Sequence, residues 1–114
     1  MRKKNYKGRC EKRTISKSNE ICKFYDQIQS KFADILNDDP DIQEIRCNVI
    51  LSGTDTDGYM TDFVCVKTNG DMIVRECVFR KFLTKPMTVR QLDMSRDYWL
   101  RHGVKDWGVV IDAE

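Results

Sequence analysis

The stretch Tyr59-Met-Thr-Asp-Phe-Val-Cys-Val-Lys-Thr-Asn-Gly-Asp-Met-Ile-Val-Arg-Glu76 constrains this chain more than any other. Two runs rich in Val, Ile, Phe and Tyr flank the turn dipeptide Asn69-Gly70, so the segment reads as a β-hairpin with strands over about 59–67 and 71–79. Turn length then decides the chemistry. A two-residue turn sets Asp62 against Cys77 and sends Glu76 to the other side of the sheet. A three-residue loop, Thr68-Asn69-Gly70 with Gly70 left-handed, slips the register by one. Asp62 then faces Glu76, and Val64, Val66, Met72, Val74 and Val78 share their face. The second alignment is preferred because it sets Val64 against Val74, whereas the first sets it against Arg75. Two acids beside an apolar strip suit a hard divalent cation better than a core.

The segments around the hairpin complete an α/β pattern. Ser18-Asn19 can cap a helix running to about Leu36, with Ile21, Tyr25, Ile28, Phe32, Ile35 and Leu36 on one face. The turn Asn37-Asp38-Asp39-Pro40 ends it. Residues 43–51 alternate, Ile45, Cys47, Val49 and Leu51 against Glu44, Arg46 and Asn48, which predicts a strand with one solvated face. After a basic connector, Arg80 to Met87, Thr88 and Gln91 offer a capping box for a second helix closed by Gly103. Val89, Leu92, Tyr98, Trp99 and Leu100 give that helix an apolar side. The continuous apolar run Trp107–Ile111 predicts a strand covered on both faces, and the crossover into it is long enough to be parallel and right-handed. The sum is a mixed β-sheet flanked by helices.

A chain of 114 residues supports one domain. Neither a membrane-length apolar run nor a signal-peptide pattern occurs, so a cytoplasmic protein with no membrane partner is expected. Five cysteines at irregular spacing and a single histidine, His102, argue against zinc and against thiol catalysis, and fit a reducing compartment. His102 reads as a helix cap, Trp99 and Trp107 as packing residues. Asp55, Asp57 and Gly58 fall short of a calcium loop and read as an ordinary turn.

Charge is unevenly shared. Residues 1–17 hold eight basic groups against Glu11 alone, while residues 18–114 hold 12 basic and 17 acidic side chains. A basic arm (1–17) on an acidic single domain (18–114) is a footprint of contact with a phosphate backbone. Arg2, Lys3, Lys4, Lys7, Arg9, Lys12 and Arg13 are the candidate DNA contacts. With Tyr6 as its only aromatic, the arm has no stacking platform, so binding through it is expected to ignore sequence.

The order of elements, with an acid starting one hairpin strand and another ending its partner, resembles the PD-(D/E)XK nuclease fold. More closely, it resembles the N-terminal endonuclease domain of TnsA, a subunit of heteromeric cut-and-paste transposases. The matching parts are the helix ending before Asp39-Pro40-Asp41-Ile42, the Tyr59-Met-Thr-Asp62-Phe segment and Arg75-Glu76-Cys77-Val78, followed by helix Thr88–Gly103 and strand Trp107–Ile111. The resemblance covers roughly residues 18–112. It implies a Mg²⁺-dependent DNA endonuclease, a phosphodiester hydrolase that also accepts Mn²⁺, encoded by a bacterial mobile element and working with a recombinase or transposase partner. Asp62 and Glu76 would hold the metal. Two positions depart from the family. Val78 stands where a lysine activates water, and Gln29 where a helix glutamate completes the metal shell. Lys85, then Arg96 and Lys81, are the candidate replacements for the lysine, and Gln29 would assist the metal. The alternative on the same fold is a non-catalytic binding protein, such as an element-encoded inhibitor of a host defence nuclease, whose acidic body mimics nucleic acid.

Overall fold

The computed structural model of the chain describes residues 10–52 and 59–112. Within them the hairpin closes as a three-residue loop. Gly70 has φ 92°, Lys67 N donates to Asp71 O at 2.7 Å, and Gly70 N donates to Lys67 O at 2.9 Å. The left-handed residue supplies the bulge that matches strand twist. Strands β4 (Met60–Lys67) and β5 (Met72–Cys77) therefore pair Val64 with Val74 and Val66 with Met72, the preferred alignment.

Ahead of the hairpin lie β1 (Glu11–Arg13), β2 (Cys22–Phe24), α1 (Gln27–Asp38) and β3 (Ile42–Ile50), and after it a 3-10 turn (Arg80–Phe82), α2 (Pro86–Arg101) and β6 (Asp106–Val110). The main sheet has the order β3-β4-β5-β6, antiparallel except for the parallel β5–β6 pair. The expected mixed sheet and its parallel crossover are present. Ile28, Ala33 and Leu36 of α1 join Phe63, Cys65 and Ile73 in one apolar cluster. Tyr98 and Trp99 of α2 join Val64 and Val74 in another. Successive residues of β4 thus feed opposite clusters, which puts the helices on opposite faces.

Three expectations need correction. First, the helix from Ser18 to Leu36 begins at Gln27. Cys22 and Phe24 are buried with Lys23 exposed between them, a strand alternation, while Ile21 and Ile35 are about 60 % exposed. Second, residues 11–17 belong to the folded body. β1 pairs antiparallel with β2, and Ile15 is buried in the α1-side cluster. Third, β3 does not keep one apolar face. Ile45 and Cys47 pack in the α1-side cluster, but Val49 and Leu51 pack in the α2-side one. The exchange falls at Asn48, whose φ of 57° is left-handed. Two smaller shifts follow from local chemistry. Pro86 starts α2 at its first turn, so Thr88 and Gln91 lie inside the helix, buried, and do not cap it. β6 is an edge strand and only half-buried.

Candidate functional site

The β4–β5 ladder runs as far as Phe63 opposite Arg75, and the next residues on each strand are the two acids. Beyond that point side chains take over the work of backbone carbonyls. Asp62 N donates to Glu76 Oε1 at 3.0 Å, and Cys77 N donates to Asp62 Oδ2 at 2.7 Å. Each carboxylate thus accepts an amide N–H of the partner strand, the charge-assisted kind of hydrogen bond that fixes geometry best. Asp62 is 2 % exposed and Glu76 0 %.

The remaining oxygens are met from opposite layers. Gln29 Nε2, from α1, donates to Asp62 Oδ1 at 3.0 Å, and Ser95 Oγ, from α2, donates to Glu76 Oε2 at 2.6 Å. Trp107 Nε1 donates to Ser95 Oγ at 3.1 Å, which leaves the hydroxyl proton for Glu76. Beside this chain, Trp99 Nε1 donates to Thr61 Oγ1 at 2.9 Å. A buried network therefore runs from α1 through the sheet to α2, each donor matched to an acceptor.

Gln29 is placed by the start of its own helix. Asp26 caps α1, its Oδ1 accepting Gln29 N at 2.9 Å, and Gln29 Oε1 accepts Tyr25 N at 2.7 Å. Asp26-Gln-Ile-Gln29 is a capping-box pattern, the sequence signal that marks the true helix start. With its oxygen on Tyr25, the amide has only its NH₂ to offer Asp62. A glutamate there has no such donor.

This donor set, as held among the described residues, does not fit the Mg²⁺ that the resemblance implies. Magnesium needs a near-octahedral oxygen shell and keeps several waters. Here all four carboxylate oxygens accept protein N–H or O–H groups, and the third side chain presents a donor. Nor do the candidate replacements for the family lysine converge on the acids. Lys85 is exposed at the N-cap of α2 with its ammonium 6.0 Å from the centroid of Phe82. Lys81 lies over the rings of Phe79 and Phe82, and Arg96 pairs with Asp93 at 3.3 Å on the surface. Val78 itself is buried. Arg75 turns to β6 and pairs with Asp106 at 2.8 Å. His102 is the C-cap residue of α2, its Nδ1 2.7 Å from Tyr98 O, as expected of a cap.

Of the candidate DNA contacts, Arg2, Lys3, Lys4, Lys7 and Arg9 lie outside the described residues, as do Asp55 and Asp57. Arg13 is committed internally, to Asp34 at 2.5 Å and to Ser30. Lys17 donates to Asp39 O at 2.6 Å, and Lys12 is exposed on β1. Sequence spacing gave no sign of Ser95 or Thr61, which matter only because α2 crosses the sheet above the acids. One buried acceptor on the same helix face, Gln91 Oε1, has no hydrogen-bond partner among the described residues. No helix among the described residues is long and apolar enough to cross a membrane. The chain matches no protein-family model and no curated protein sequence.

Proposed function

We propose that this protein is a DNA-associated module on a nuclease-like fold, derived from the type used by mobile-element endonucleases, whose metal centre has been replaced by an internal hydrogen-bond network. The order helix, three antiparallel strands, helix, parallel strand supports the PD-(D/E)XK resemblance. The observation that carries the loss of cleavage is Gln29 donating to Asp62 while Ser95 donates to Glu76. Such a pair holds the layers together instead of presenting oxygen ligands to a cation. DNA binding then rests on the N-terminal basic groups Arg2, Lys3, Lys4, Lys7, Arg9 and Lys12, of which Lys12 has an exposed side chain on β1. An arm of this kind gains its affinity by releasing counterions, so binding falls steeply with salt and ignores sequence.

The test combines binding and cleavage on one preparation. Fluorescence anisotropy with duplexes of unrelated sequence should give equal affinities, unchanged by EDTA, with log K falling linearly against log salt. Supercoiled plasmid incubated with Mg²⁺ or Mn²⁺ should remain uncut. Cutting that disappears in both Asp62→Ala and Glu76→Ala would overturn the loss of activity. Absence of DNA binding at low salt would overturn the DNA role.

A further inference from the structure

Away from the acids, two cysteines that lie far apart in sequence meet where the N-terminal segment crosses the sheet edge. Cys22 Sγ of β2 is 2.7 Å from Cys47 Sγ of β3. A covalent S–S bond is about 2.05 Å, so little movement separates this contact from a bond. The approach is held by the backbone on both sides. Asn48, next to Cys47, accepts Lys23 N at 2.9 Å through Oδ1 and donates to Lys23 O at 2.8 Å through Nδ2. Its left-handed φ of 57° turns the amide to face β2. Further along, Ile45 N donates to Lys17 O at 2.9 Å. Cys22 is buried at 1 % exposure, while Cys47 is half-buried.

We propose that Cys22 and Cys47 are an oxidisable thiol pair that closes to a disulfide on reaction with a peroxide and fastens the N-terminal strap (residues 10–24) to the edge strand of the main sheet. The hydrogen bond between the two sulfurs draws the Cys22 thiol down to about 7, so the pair gives up its first proton near neutrality, whereas burial pushes the Cys65 thiol up to about 12. Cys22 carries the charge, and Cys47 keeps the remaining proton. The Cys22 thiolate attacks one peroxide oxygen. An S–O bond forms, the O–O bond breaks, and the departing hydroxide takes the Cys47 proton to become water. The Cys47 thiolate then attacks the Cys22 sulfur, forming the S–S bond and expelling hydroxide. Two thiol sulfurs are oxidised and one peroxide is reduced. The bond closes a loop that contains all of α1, so it restricts the unfolded chain and raises thermal stability.

The test treats the full chain with one equivalent of hydrogen peroxide and then alkylates it in urea. The expected result is a loss of two hydrogens in intact mass, two of the five thiols protected, and a cross-linked peptide containing Cys22 and Cys47. The melting temperature should rise by at least about 5 °C and return with dithiothreitol. Cys47→Ser should show neither the mass loss nor the rise. The wild-type peptide map decides the matter even if that variant folds poorly. Both thiols still alkylatable after peroxide, linkage through Cys10, Cys65 or Cys77, or a cross-link that leaves the melting temperature unchanged would overturn the proposal.

Discussion

Substituting Gln29 by glutamate would set a third carboxylate against Asp62 and remove the N–H that Asp62 accepts at 3.0 Å. A buried acid that loses its donor and gains a like charge should cost about 3 kcal/mol of stability, read as a lower urea midpoint. Millimolar Mn²⁺ should not restore the loss, because Cys77 N and Asp62 N continue to hold the carboxylates in place. Recovery with Mn²⁺ would instead mean that three acids suffice to rebuild a metal centre. Ser95→Ala addresses the other end. It leaves Glu76 Oε2 without the hydroxyl and Trp107 Nε1 without its acceptor, for a cost of about 2 kcal/mol in the same measurement. The Cys22–Cys47 pair makes a separate prediction in pH. Cys22 is held near 7 in the fold against 9.0 for a free thiol, while the same contact pushes Cys47 upward. Between about pH 7 and 9 the unfolded chain binds one more proton than the folded one, so stability should rise. Above about pH 9 both thiols ionise in the unfolded chain while Cys47 stays protonated in the fold, so stability should fall again. Urea titrations across pH would show this maximum in the reduced wild type and not in Cys47→Ser.

The hairpin carries its own test. A Cβ at Gly70 would meet nothing within 4 Å, so Gly70→Ala costs backbone strain alone, about 1 kcal/mol, and Gly70→Asn costs less. Thermal melts of the two variants should rank Gly, Asn, Ala. An equal melting temperature for Ala would mean that the register does not depend on the left-handed turn. This turn was legible in the sequence because Asn69-Gly70 and the match of Val64 with Val74 agree on one alignment. The strand–helix–strand crossover was legible for the same reason, since apolar period and connector length point the same way. The start of α1 was not. Ile21, Tyr25 and Ile28 fall at helical spacing, and a three-residue strand such as Cys22–Phe24 is too short for alternation to outweigh them. The chemistry of the acids was legible only in position. That Asp62 and Glu76 are neighbours follows from register, whereas their partners Gln29 and Ser95 come from helices whose placement no local pattern specifies.

For the molecule as a whole, the boundary between arm and body lies earlier than charge implies. Removing residues 1–9 should leave the melting temperature within a few degrees of the full chain while weakening DNA binding. Removing residues 1–17 takes away buried Ile15 and the Arg13–Asp34 pair, a loss of about 3 kcal/mol or more, enough to unfold a marginal domain. Circular dichroism melts of the two truncations would separate these outcomes. The carboxylate seam also bears on how the protein opens. Amide protons at strand ends usually fray early, yet those of Asp62 and Cys77 are gripped by buried side chains tied to both helices. In deuterated buffer these two should be among the last to exchange, so the place where the strands part is also where the three layers let go together.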